Sequence, residues 1–189
     1  MEDSSTAAES RGTRQLLAAT GIAALVLAVD QIAKWLVADK LGPGASSHRY
    51  RLLGDLFGIQ YVENRGVAFG LLQGQVFLVT VLAIAVVFFL VRLYRRAGTA
   101  SWTMAIGCGL IVGGAIGNLV DRVRFGYVVD FIGVSGWPRF NVADGAITIG
   151  ALLLAWRYLR DDESEEIEQR NSGSTVPPAL VVLNRDGDR

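Results

Sequence analysis

Four stretches of this chain, at about 16–37, 76–93, 102–120 and 142–159, are apolar over lengths that water-soluble helices rarely reach. Hydrocarbon about 30 Å thick takes roughly 20 helical residues to cross. The predicted fold class is therefore a membrane all-α protein: a four-transmembrane-helix bundle with a small extracytoplasmic β-rich region and a lid-like loop. The strand character lies in Leu52–Val62 and Gly126–Trp137, where β-favouring residues alternate with glycine breaks. Arg11 and Arg14 precede the first run in the manner of a signal peptide. That run is too long for a signal core and lacks a small-residue cleavage site, so it reads as a retained helix.

The spans divide the chain into three parts. Residues 1–14 form a polar N-terminal tail expected to be disordered. Residues 15–160 carry the four helices. Residues 161–189 open on Asp161, Asp162, Glu163, Glu165, Glu166 and Glu168, continue into Ser, Gly and Pro, and are expected to be disordered too. Orientation follows from basic residues in short loops. Arg92, Arg95 and Arg96 crowd the connection between the second and third spans, without an acid. That places the connection, and with it both termini, in the cytoplasm. Residues 39–75 and 121–140 then share the outer face, although these segments carry arginines of their own.

Composition excludes several chemistries. Formal net charge is zero, and no basic face stands beside stacking aromatics, so no nucleic-acid partner is implied. One cysteine, Cys108, and one histidine, His48, can form neither an internal disulfide nor a zinc site of the usual kind. HExxH and GxSxG are absent. No metal and no other cofactor is expected, and carboxylates remain as the reactive groups.

An ionisable group at membrane depth costs about 2.5–3.5 kcal/mol on insertion scales and is a functional candidate by default. Asp30 and Lys34 stand at i,i+4 spacing in the first span. An ion pair within the helix is the plain explanation, and positioning of a neighbouring helix or lipid headgroup is the other. Gly109, Gly113 and Gly117 recur every fourth residue in the third span, which lets another backbone approach closely. Asn118, Asp121 and Arg122 close that span, and Asn118 and Asp121, three apart, share a face.

Asp130 lies among Val128, Val129, Phe131 and Ile132 without an adjacent counter-charge, so desolvation should raise its pKa. Asp144 follows Asn141 at the start of the fourth span, where a helix N-terminus favours an acid. Alone, Asp144 reads as a capping residue. Together, Asp121, Asp130 and Asp144 with Asn118 and Asn141 converge on one membrane surface. Two carboxylates brought within a few ångströms cannot both ionise, which supplies an acid and a base side by side. The residues alone leave both a hydrolase and a polar helix-packing network open.

Five blocks in order carry a resemblance: Asp30-Gln-Ile-Ala-Lys34, Asn64-Arg-Gly-Val-Ala-Phe-Gly70, Gly113-Gly-Ala-Ile-Gly-Asn-Leu-Val-Asp-Arg122, Val128-Val-Asp-Phe-Ile132 and Phe140-Asn-Val-Ala-Asp144. Across residues 16–159 the chain resembles lipoprotein signal peptidase (signal peptidase II), an aspartic endopeptidase family of bacterial membranes. The resemblance implies cleavage of prolipoproteins just before a diacylglyceryl-modified cysteine, in the bacterial plasma membrane; separately, the chain is expected to act as a monomer among membrane lipids. It implies Asp130 and Asp144 as the catalytic dyad, with Asp121 and Arg122 a supporting pair and Asp121 the rival for a dyad place. Asn64, Asn118, Arg122 and Asn141 match positions that line the site, and Asp30 and Lys34 match a structural or substrate-positioning motif.

Val67 stands where alanine is expected, the Asp130–Asp144 connection is short, and the segment after Arg160 has no counterpart. From other classes, a small transporter or ion-path protein using the same acids predicts carboxylates spread through the membrane depth. A non-enzymatic helical scaffold leaves Asp130 unexplained.

Overall fold

A computed structural model describes residues 2–45, 49–66 and 101–171, together with scattered positions between 77 and 92. Helix α1 (Glu2–Leu41) leads into strands β1 (Arg49–Leu53) and β2 (Phe57–Asn64). Helix α2 (Trp102–Phe125), strand β3 (Val128–Val134) and helix α3 (Val142–Asn171) follow. Among the described residues three helices are long and apolar enough to cross a membrane: Ser10–Leu41, Trp102–Phe125 and Val142–Arg160. The second expected span, 76–93, lies largely outside the described residues. Its described positions, from Phe77 to Arg92, are helical.

The backbone is helical at 2–14 and 161–171, where composition alone predicts disorder. The physical reason is nucleation. Starting a helix is unfavourable, but extending one adds a hydrogen bond per residue fixed, so α1 and α3 run on into these flanks.

Helix α2 is the middle of the bundle. More than half of its apolar window is buried, against 6% for α1 and 17% for α3, whose outer faces present leucines and tryptophans. The reason is its glycines. A Cβ at Gly113 would stand 2.6 Å from the Ala23 carbonyl oxygen of α1, and one at Gly114 would stand 2.5 Å from that of Ala143 in α3. The small-residue spacing thus serves two neighbours on two faces of one helix. Helix α2 starts on Ser101, whose hydroxyl accepts from the Met104 N–H at 3.2 Å, and stops at Gly126 in the left-handed region, φ 76°.

The three strands form one antiparallel sheet in the order β1-β2-β3. It packs against the end of α1 through Val37, Leu41 and Phe131, with Ile59, Tyr61 and Val142 around them. In β2, a bulge between Ile59 and Val62 inserts one residue into the pairing with β3, opposing Val62 to Asp130. Side chains two apart share a strand face, so the bulge sets Asn64 on the same face as Asp130. After β3 the chain turns at Gly136 and returns at once, Phe140 pairing with Ile132. This short return brings Asn141 and the start of α3 back beside Asp130.

Candidate active site

Two layers of polar side chains fill the end of the bundle beneath the sheet. The deeper one is charged. Lys34 Nζ lies 2.8 Å from Asp30 Oδ2 and 2.9 Å from Asp121 Oδ2, and it donates to Asn118 Oδ1 at 2.8 Å. All four residues are buried. Each carboxylate has further donors. Asp30 Oδ1 accepts the Ala143 N–H at 2.9 Å, so a side chain of α1 caps the first turn of α3. Asp121 accepts the Val129 N–H at 3.1 Å and Gln31 Nε2 at 3.0 Å. Gln31 also reaches the Gly117 carbonyl at 3.2 Å. A Cβ at Gly117 would stand 2.6 Å from Asp30 Oδ2, so this glycine makes room for the cluster. The layer satisfies what a buried ion pair requires: opposed charges at contact distance, with remaining lone pairs bonded.

The second layer is built of carboxylates and amides. Asp130 is buried, and its Oδ1 accepts from Asn141 Nδ2 at 2.7 Å while its Oδ2 accepts from Asn64 Nδ2 at 2.8 Å. Asp144, partly open to solvent, accepts from Asn118 Nδ2 at 2.8 Å and from the Asn141 backbone N–H at 3.2 Å. In return the Asp144 N–H donates to Asn141 Oδ1 at 3.0 Å. This reciprocal pair is a capping box, with Asn141 as the cap and Asp144 three residues on.

Asn141 therefore holds both carboxylates, one through its side chain and one through its backbone. Asn118 joins the layers. Lys34 offers only donors, so Asn118 must turn its oxygen to the ammonium and its NH₂ group to Asp144. Among the described residues no Lys or Arg forms an ion pair with Asp130 or Asp144. Arg122 stands nearby but donates to the Asn118 and Gly66 carbonyls, each at 3.4 Å.

Burial pushes the Asp130 carboxyl up from 3.8 to about 7, and the nearby charge of Asp144 pushes the same way. The amides of Asn64 and Asn141 and the distant charge of Lys34 pull it down and do not offset the desolvation. Such a group exchanges a proton near neutrality, as acid–base catalysis requires.

Residues 22–160 match the family described as signal peptidase (SPase) II. A lipoprotein signal peptidase of Halothermothrix orenii is 44% identical over 131 residues, spanning 69% of this chain and 87% of its own. One from Moorella thermoacetica is 40% identical over 140 residues, spanning 73% and 90%. The chain belongs to the signal peptidase II family. It is accordingly an enzyme, an aspartic endopeptidase embedded in a membrane. A solved bacterial membrane enzyme superposes with a TM-score of 0.70 at 28% identity, over 77% of this chain and 90% of that one.

The sequence-predicted residues of this signal peptidase II chain gather at one end of the bundle, divided between the two layers. Asp30, Lys34 and Asp121 belong to the charged layer. Asn64, Asn141, Asp130 and Asp144 form the carboxylate–amide layer, Asn118 joins the two, and Arg122 flanks them. The ion pair between Asp30 and Lys34 is present, and it extends to Asp121. Val67 lies outside the described residues. Sequence reasoning missed Gln31. It stands three residues before Lys34, hence on the same helix face, and that spacing was the available signal.

Proposed function

We propose that Asp130 and Asp144 are the catalytic dyad of a lipoprotein signal peptidase that hydrolyses the bond before a diacylglyceryl-modified cysteine. The observation that carries the assignment is the contrast in partners. Asp121 is bonded to an ammonium, an amide and a backbone N–H, whereas Asp130 and Asp144 face each other across Asn141 with amide and backbone donors alone. The dyad shares one proton, which belongs to the pair rather than to either residue. The ionised carboxyl takes a proton from water, and the protonated one donates a hydrogen bond to the scissile carbonyl. The water attacks, a tetrahedral intermediate forms, and the amine of the cysteine leaves after accepting a proton. No covalent enzyme intermediate is required.

Asn64, Asn118 and Asn141 orient the two acids, and Arg122 stands where it can hold substrate backbone. Asp30 and Lys34 fix the ends of α1, α2 and α3 on which the site is built. The peptidase unit spans about 15–160 with four membrane helices, the second of them supplied by 76–93, and acts as a monomer. It sits in the bacterial plasma membrane with both termini in the cytoplasm and the dyad at the outer face. The acyl chains of the substrate lie against the exposed helix faces, making the reaction effectively intramolecular. The hairpin of β1 and β2 leans over the bound peptide. The gathering of the polar groups at one end of the bundle favours this reading over an ion path, which needs them through its depth.

The test is a gel-shift cleavage assay on the full chain in lipid. The substrate is a diacylglyceryl-modified prolipoprotein, run beside its unlipidated form and beside Asp130→Asn and Asp144→Asn. Cleavage of the lipidated form only, lost in both variants, is the expected result. A folded Asp130→Asn protein with wild-type cleavage would falsify the dyad.

A further inference from the structure

The distal end of the sheet carries a second polar site, away from the two acids. Arg49 of β1, Asp55 of the first turn, Gly58 and Gln60 of β2, Gly133 of β3 and Arg139 of the return loop surround a cleft of about 220 Å³. At ~30 Å³ per water that is room for about seven waters, enough for a phosphate and part of its ester. Both arginines lie across strand glycines. A Cβ at Gly133 would stand 2.9 Å from Arg139 Nε, and one at Gly58 would stand 3.7 Å from Arg49 Nε.

The Arg139 head is only part-used. Its Nη2 donates to Gln60 Oε1 at 3.1 Å, while its Nε–H is buried with no hydrogen-bond partner among the described residues. A buried donor without an acceptor is costly, and an Arg fork is suited to bind phosphate through two parallel bonds. Asp55 Oδ1 lies 3.8 Å from Arg49 Nη2 and 3.3 Å from Arg51 Nη1, and Asp55 is largely exposed. Two guanidiniums against one carboxylate leave the lining with one net positive charge.

The surroundings fix what kind of anion fits. Spans α1 and α2 end, and α3 begins, at the level of the sheet, at Leu41, Phe125 and Val142. Two turns close the distal end of the sheet, tied together by the Ser135 N–H donating to the Leu56 carbonyl at 2.9 Å. They expose Leu53, Leu56 and Trp137, each at 60% or more. Exposed leucines and a tryptophan beside arginines are the pattern of a surface seated at the headgroup level of a bilayer.

We propose that the Arg49–Arg139 cleft seats the phosphate of a membrane phospholipid headgroup, with the leucines and tryptophan of the two turns against its acyl region. The lipid is a ligand distinct from any substrate, and it tethers the distal end of the sheet to the leaflet.

The experiment is native mass spectrometry of the full chain in detergent, titrated with phosphatidylglycerol, with a diacylglycerol lacking phosphate, and with inorganic phosphate as competitor. Wild type is expected to retain one phosphatidylglycerol and to bind the diacylglycerol at least roughly tenfold more weakly, as loss of charge-assisted hydrogen bonds requires. Arg49→Gln with Arg139→Gln should weaken phosphatidylglycerol by a similar factor. Gly133→Ala, which keeps the charge but displaces the Arg139 head, should weaken it as well. Unchanged phosphatidylglycerol binding in both variants overturns the proposal. So does displacement of the lipid by equimolar inorganic phosphate, which would mark a free-phosphate site. Lipid retention is read without turnover, so it stands or falls apart from the peptidase assignment.

Discussion

Two groups of aspartates lie side by side in this protein and differ in what they are bonded to. Asp30 and Asp121 share Lys34 and lie deep between the helices. Asp130 and Asp144 share Asn141 and lie where the helices meet the sheet. The residue type is the same, and the partners divide the roles. An ammonium at contact distance fixes its carboxylates in place, which suits a joint between helices. Amides orient carboxylates without settling where a proton resides, which suits a site that must move one. Asn118 touches both groups, so the geometry of the reactive pair is inherited from the inert one.

The strongest test of this division is removal of a reactive acid. Asp130→Asn or Asp144→Asn should lower cleavage by roughly 10²–10⁴-fold, the usual reach of acid–base catalysis, with thermal unfolding in detergent little changed. A comparable loss of activity in folded Asp121→Asn would erase the distinction between the groups.

Next comes Lys34→Met. It leaves two buried carboxylates without their cation, and breaking such a pair typically costs about 3–5 kcal/mol. The expected result is a large drop in unfolding temperature, with residual activity in whatever stays folded. A variant of full stability but no activity would place Lys34 in the reaction instead.

Gly117→Ala is a subtler probe. Its methyl would crowd Asp30 Oδ2 and loosen the bond to the Ala143 N–H. Overpacking of this kind costs about 1–3 kcal/mol, and a thermal melt of the variant reads it. No change in the melt would mean that Asp30 can shift without loss.

The smallest effect is in the pH profile. Because Asp130 sits near 7, the rate should have a limb close to neutrality. Asn64→Ala removes a donor that favours the ionised form, so that limb should move to higher pH. The sign for stability is the same as for any raised carboxyl. Folding is favoured by this group below its ordinary value of 3.8, and that contribution is lost as pH rises through about 7. A limb that stays in place in Asn64→Ala would mean the amide does not tune the acid.

Much of this was legible in the chain. Hydropathy marked the described spans, because crossing lipid demands length and apolarity together. The carboxylates stood out because membranes and apolar strands seldom carry them. For Asp144 the sequence left two readings, a capping acid or a reactive one. The capping geometry is present, and it is the means by which Asn141 holds this carboxylate beside Asp130.

Other features were not legible, since they depend on tertiary meeting. Nothing local shows that Asp30 would cap α3, 113 residues away. Nor does it show that β1 starts at Arg49, three residues before the strand character begins at Leu52, because β1 gains its pairing only from β2. The bulge at Ile59–Val62, which aims Asn64, leaves no composition signal.

The Lys34 cluster also bears on biogenesis. Chains are made from the N-terminus onward, so Lys34 reaches the bilayer long before Asp121 or Asp144 has been synthesised. When α2 enters, its acid finds a cation already waiting at matching depth, and α3 finds Asp30 waiting to receive its first turn. The early helix thus serves as a mould for the later ones. A chain whose first span is delayed or exchanged should stall in assembly rather than merely lose activity.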